Sequence, residues 1–178
     1  MSKSQKFGID CGATKVMAQS VIYDSTSQII QPTDLNFEYN YSYSSFWNPN
    51  FIPIPLEIQK AELENGVLNI NKAERIQASA IVEIIKQLIS KLNSKDIALC
   101  YPGLKSRSGI ILMANGPRIP DLIDQIPELK TIYHDSECCL LGEINSIVGR
   151  IKHSKNTIYI GGGTGIADGL ILNNEIID

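Results

Sequence analysis

Asp10, Thr14 and Lys15 fall within FGIDCGATK at residues 7–15, a run whose residue types suit a charged ligand. Its first half is apolar and β-inclined, and Gly8 and Gly12 break its middle. Asp10 stands where a buried strand would run out. Burying a carboxylate is costly unless it is paired, hydrogen-bonded or close to a cation, so Asp10 is expected at an exposed strand end with something to hold. Gly12 lets a backbone turn approach a ligand closely, and Thr14 and Lys15 add a hydroxyl and an ammonium just beyond it. Together they suit phosphate and hydrated Mg²⁺; an ordinary β-hairpin with Gly and Asp as turn formers fits the same residues. A second glycine run, GGGTGIADG at 161–169, contains Gly163, Thr164 and Gly165, whose backbone N–H groups can face phosphate oxygens because no Cβ intervenes. Asp135, preceded by His134, falls at a strand-to-helix junction. A carboxylate there is open to a substrate and can be held by helix N–H groups, or can serve simply as an N-cap.

Those residues need a sheet whose strand ends gather at one edge, and the sequence pattern provides for one. Strands are expected over the start of FGIDCGATK, over Lys15–Tyr23 and over Gln28–Tyr39, giving three antiparallel strands with a turn at Asp24–Ser27. Residues 40–58 combine aromatics with three prolines, which excludes a central strand or a helix interior and reads as a loop or insertion ordered by Phe46, Trp47 and Phe51. Asn71 with Glu74 resembles a capping box, and Ile76, Ala80, Ile81, Ile84, Ile85, Leu88, Ile89 and Leu92 keep helical spacing, predicting a helix over 72–93. IALCY at 97–101 reads as a strand covered on both faces. Gly109–Met113 suits a hairpin or edge strand, Pro120–Ile126 a short helix, and Thr131–Tyr133 a brief strand. Ser136–Gly149 reads as a helix, Thr157–Ile160 as a strand, and Leu170–Ile177 as a hairpin turning at Asn173–Asn174. Asp10, Asp135 and the Thr164 loop then all lie at strand ends, where ligands of open α/β sheets collect.

Composition limits the alternatives. With 178 residues, 43% of them hydrophobic and 20% charged, and a formal net charge of -3, the sequence reads as a soluble globular protein of one large domain or two small ones and has no basic footprint for nucleic acid. It contains no apolar run long enough to span a membrane and no basic, apolar leader, which makes the cytoplasm the expected compartment. Cysteines 11, 100, 138 and 139 lack CxxC spacing and a partnering His cluster, so buried free thiols are expected rather than zinc ligands or a disulfide framework.

Three ordered segments resemble motifs of the ROK sugar kinases, within the actin, hexokinase and heat-shock chaperone ATPase superfamily. Gly8–Lys15, GIDCGATK, resembles the first phosphate motif GIDIGGTK; His134–Glu143, HDSECCLLGE, resembles the catalytic NDANAAALGE; Gly163–Asn174, GTGIADGLILNN, resembles the second phosphate motif GTGIGGGIIVNG. The resemblance covers nearly the whole chain outside 40–70. It implies an α/β, ribonuclease-H-like mixed sheet with an antiparallel start and crossover helices, forming one lobe of an actin-like ATPase fold. It implies ATP and Mg²⁺ as cofactors, a hexose or amino sugar as substrate, and Asp135 as the base that deprotonates the attacking sugar hydroxyl. Asp10 would orient Mg²⁺, possibly through water; Gly12, Thr14, Lys15, Gly163, Thr164 and Gly165 would face the phosphates; Gly103, Asn115 and His134 would lie near the sugar.

The sequence departs from that pattern at His134 and Glu137, where the family has Asn, and at Asp168, where it has Gly. The family also continues into a second lobe with an acidic-Gly-His sugar motif, a cysteine-rich zinc motif and the adenine pocket, none of which occurs in these 178 residues. The expectation is a single N-terminal lobe over 1–178 that needs a C-terminal lobe as partner, with a homodimer as the default assembly. The alternative is a sugar- or nucleotide-sensing domain that keeps the fold without turnover.

Overall fold

In the computed structural model the described residues are 6–151, 154–162 and 166–177. Strands β1 (Lys6–Cys11), β2 (Lys15–Asp24) and β3 (Ile29–Asn40) form an antiparallel meander. β4 (Asp96–Cys100) pairs parallel with β1, and the short β7 (Ile132–Tyr133) pairs parallel with β4. The order β3-β2-β1-β4-β7 is the mixed sheet with an antiparallel start that the family resemblance implied. Alternation along β1 sends Phe7, Ile9 and Cys11 into the core and leaves Lys6, Gly8 and Asp10 on the other face.

Helix α2 (Lys72–Leu92) covers the inner face, its Ile81, Ile84, Ile85, Leu88 and Leu92 joining Phe7, Ile9, Val16, Ala18 and Leu99 in one core. Its start is the expected capping box: the Asn71 side chain accepts from Glu74 N at 2.9 Å, and Glu74 reaches back to Asn71 N. Asn93, at φ 46°, closes the helix in the left-handed region. The other face is less covered than IALCY suggested, for Leu99 is buried while Ala98 is exposed. Three consecutive apolar residues do not require two covering layers.

The 40–70 region is more ordered than a loop. A 3-10 turn, Tyr41–Tyr43, is followed by Trp47, which stacks on buried Tyr41 with ring centroids 5.5 Å apart. Phe46 is exposed and Phe51 half-buried, so of the three aromatics expected to order the segment only Trp47 packs on the core. Beyond Pro55 a helix not foreseen from sequence, α1 (Leu56–Glu64), is fastened by Gln59. That buried amide donates to Ile54 O and Met113 O and accepts from Met113 N at 2.8 Å. Arg118, wholly buried, pairs with Glu74 and Glu62 and donates to Asn69 O, joining both helices to the segment that follows Met113.

β5 (Leu104–Lys105) and β6 (Ile110–Leu112) form the small expected hairpin, and α3 (Leu122–Gln125) the short helix after Pro120. Helix α4 (Asp135–Asn145) stops before Gly149, because Ser146 bridges Ile30 of β3 and Ile147 N donates to Ile30 O, pulling the chain out of helical geometry. Ile147 and Val148, inside the helix expected over 136–149, lie beyond its actual end and are exposed. β8 (Thr157–Gly162), β9 (Ile166–Leu172) and β10 (Glu175–Ile177) make a separate antiparallel sheet, with Asn173 and Asn174 both at positive φ in its last turn. Among the described residues no helix is long and apolar enough to cross a membrane.

Candidate active site

The parallel strands β1, β4 and β7 all end at one edge, and most of the candidate residues gather there. Asp10 is exposed on the outer face of β1, directly beside Cys100 of β4, whose thiol donates to Asp10 Oδ1 at 3.4 Å. The chain leaves β7 through His134 and enters α4 at Asp135. Thus His134, not Asp135, is the N-cap. Its Nδ1 lies 2.9 Å from Asp135 Oδ1, 2.8 Å from Ser136 Oγ and 3.3 Å from Ser136 N. Unprotonated, that nitrogen accepts from Ser136; protonated, it donates to the carboxylate. Asp135 Oδ1 also accepts from Ser136 N at 3.0 Å, whereas Oδ2 has no hydrogen-bond partner among the described residues. One oxygen is braced and the other is open to a ligand.

Gly12 N donates to Lys15 O at 2.9 Å, closing the tight β1–β2 turn, and a Cβ at Gly12 would meet only that oxygen, at 3.4 Å. Its backbone does not demand glycine. Thr14 is exposed, and the Lys15 ammonium pairs with Glu38 of β3 at 2.8 Å. Gly103, after β4, does demand glycine: its φ is +89° and an added Cβ would stand 2.4 Å from Leu112 O. Asn115 is exposed beyond β6 and makes no hydrogen bond to any of these residues. Gly163, Thr164 and Gly165 lie outside the described residues. Asp168 lies in β9, exposed, paired in register with Ile160.

One residue that sequence reasoning passed over is Lys105. Half-buried, it donates to Gly103 O at 2.8 Å and faces the charges of Asp135 and Glu137 and the thiols of Cys100 and Cys138. Burial holds its ammonium below the usual lysine range, opposed by the nearby Asp135 carboxylate. The hint in sequence was a lysine two residues past the Pro-Gly that ends a central strand. The cysteines also correct the expectation of buried thiols: Cys11 is buried, its thiol pushed up by desolvation, but Cys100 and Cys138 are half-buried and Cys139 is exposed.

Among the described residues no group of three or more His, Cys, Asp or Glu side chains could hold a metal ion. A single exposed carboxylate such as Asp10 fits Mg²⁺, which keeps much of its water shell and takes one or two carboxylates beside phosphate oxygens. Two cavities occur elsewhere. One of about 460 Å³ is bordered by Ile70, Arg75, Arg118 and Gln125, and one of about 280 Å³ lies beside Cys139, Glu143 and Tyr159. Neither is lined by Asp10 or Asp135; at the strand ends Asp10 is exposed and Asp135 half-buried.

No protein-family model matches the sequence, and no curated protein matches it. Solved structures do. An inorganic polyphosphate/ATP-glucomannokinase from Arthrobacter sp. strain KM superposes with a TM-score of 0.61 at 15% identity, over 98% of this chain and 61% of its own. A ROK family glucokinase from Streptomyces griseus, solved with glucose and AMPPNP, gives 0.57 at 15% identity over 98% of this chain and 46% of its own. The ROK hexokinase from Thermus thermophilus gives 0.53 at 17% identity over 97% of this chain and 48% of its own. The chain thus spans about half the length of the kinases it matches, and over that half it shares the fold of these sugar kinases.

Proposed function

We propose that this chain is the N-terminal lobe of an ATP-dependent kinase that phosphorylates a hexose or amino-sugar hydroxyl, with Asp135 as general base. The observation that carries the reading is the asymmetry of Asp135: Oδ1 is braced by Ser136 N and His134, while Oδ2 has no hydrogen-bond partner among the described residues. A carboxylate held by one oxygen can orient an alcohol with the other and accept its proton as the alcohol oxygen attacks the terminal phosphate. His134, Gly103 and Asn115 lie toward the sugar. On the resemblance of their motifs Gly12, Thr14, Gly163, Thr164 and Gly165 would lie near the phosphates, and Lys15 would join them by leaving Glu38. That release is cheap, since exposed ion pairs contribute only about 0–1 kcal/mol. Asp10 would hold a hydrated Mg²⁺. When bound, the ion neutralises charge on the phosphate oxygens, and transfer then rests on positioning and electrostatic stabilisation.

The exposure of Asp10 supports a requirement for a second lobe that carries the adenine contacts and closes the cleft. Calorimetry tests this. The chain alone should bind a hexose or amino sugar, more weakly after His134→Ala, and should bind ATP·Mg²⁺ weakly or not measurably, without turnover. Micromolar ATP affinity with sugar phosphate formed by the chain alone would overturn the need for a second lobe; failure to bind any sugar would overturn the substrate class. In the two-lobed assembly Asp135→Asn should lower kcat by ~10²–10⁴. A near-normal rate would remove Asp135 as base. The same exposure favours a second reading, a sensing domain, which would bind sugar but transfer no phosphate even with the second lobe present.

A further inference from the structure

We propose that the cavity of about 460 Å³ between the start of α2 and the segment 118–125 binds a small zwitterion with an apolar side chain, an aliphatic α-amino acid. Its volume falls within the range of small-molecule sites, roughly 300–1,000 Å³. Neither Asp10 nor Asp135 lines it, and the inference does not rest on the kinase reading.

The lining is layered. Ala78, Arg118 and Ile119 form a buried floor, and Leu68, Ile70 and Pro120 form half-buried walls. The floor is closed to a charged ligand, because the Arg118 guanidinium is already spent: Nε and Nη2 donate to Glu74, Nη1 donates to Glu62, and Nη2 also reaches Asn69 O. One cation against two carboxylates leaves no surplus positive charge beneath the cavity.

The rim is where charge remains available. Exposed Arg75 uses Nε to donate to Ile70 O at 3.1 Å, while its Nη1 and Nη2 have no partner among the described residues. Exposed Asp121 stands at the N-cap of α3, yet its side chain caps no amide. Its Oδ1 accepts from Gln125 Nε2 at 3.0 Å, and Oδ2 has no partner among the described residues. Ser79 Oγ donates to Arg75 O at 2.8 Å and keeps its lone pairs for an N–H donor. One cavity therefore presents a guanidinium with donors to spare, a carboxylate with an acceptor to spare, and an aliphatic floor between their elements.

That set excludes the other small ligands. A phosphate ester would bring its negative charge to Asp121, and a sugar would press hydroxyls against aliphatic walls that cannot bond them. An amino acid satisfies each part: its carboxylate takes the paired donors of Arg75, its ammonium takes Asp121 Oδ2 and Ser79 Oγ, and its side chain covers Ala78 and Ile119.

Calorimetry on the full chain tests this with leucine, with isocaproate, which is leucine without the ammonium, and with isoamylamine, which is leucine without the carboxylate. Leucine should bind, and each analogue should bind ~10-fold or more weakly, since each loses the bonds to one charged partner. Arg75→Ala should weaken leucine and isocaproate by the same factor and leave isoamylamine unchanged; Asp121→Asn should weaken leucine and isoamylamine and leave isocaproate no weaker. Both residues are exposed, so both variants should keep the parent's midpoint in chemical denaturation. In amide NMR of the parent, leucine should shift resonances within 68–79 and 118–125. Absence of leucine binding at millimolar concentration, N-acetyl-leucine binding as tightly as leucine, or affinity for leucine indifferent to Arg75→Ala would each overturn the proposal.

Discussion

The two larger sheets of this molecule treat their apolar residues in opposite ways. In the five-stranded sheet Phe7, Ile9, Val16, Ala18 and Leu99 turn inward and are covered by α2, while the outer face carries Lys6, Gly8, Asp10 and Ala98. In the three-stranded sheet Ile171 is buried on the α4 side, but strand pairing puts Ile158, Ile160, Leu170, Leu172 and Ile177 together on the opposite face. Ile158 and Ile160 are 70% and 74% exposed. The first sheet is a finished core that holds Asp10 and the strand end leading to Asp135. The second contributes little burial of its own.

Substitutions can break or sharpen that contrast. The largest loss should come from Arg118→Ala, which strands the buried Glu74 carboxylate and frees α1 from α2. Breaking a buried pair in this way costs about 3–5 kcal/mol, read as a lower midpoint in chemical denaturation. Next is Asn71→Ala, which removes the side-chain acceptor at the start of α2 and should cost about 0.5–2 kcal/mol in the same experiment. Smallest is Ile160→Thr on the exposed face, expected within about 0.5 kcal/mol of the parent. If Ile160→Thr destabilised the chain as much as Asn71→Ala, the second sheet would be packed in solution and the contrast would fail.

How legible each part was follows from the same physics. Strict alternation from Phe7 to Cys11, and the capping box with helical spacing behind it, mark β1 and α2 because their burial is local and periodic. Asp10 and Asp135 could be placed at strand ends for the same reason. Helix α1 was hidden because its anchor is a polar side chain, Gln59, meeting a carbonyl and an amide of Met113 far along the chain. The end of α4 was hidden because a bridge to β3, not a breaker residue, stops it. Lys105 gains its meaning only when the turn after β4 brings it to the charges of Asp135 and Glu137 at the start of α4, and no periodicity encodes that juxtaposition.

Gly103 has a consequence for anyone reading function from a variant library. With its φ in the left-handed region and a carbonyl 2.4 Å from where a Cβ would stand, nearly every substitution must deform the β5–β6 hairpin. A selection for catalytic activity would therefore score position 103 as intolerant whatever lies beside it, and would label a folding requirement as a substrate contact. Scoring the same library for cellular abundance separates the two: variants at 103 should disappear from both screens, whereas variants at 135 should disappear from the activity screen alone.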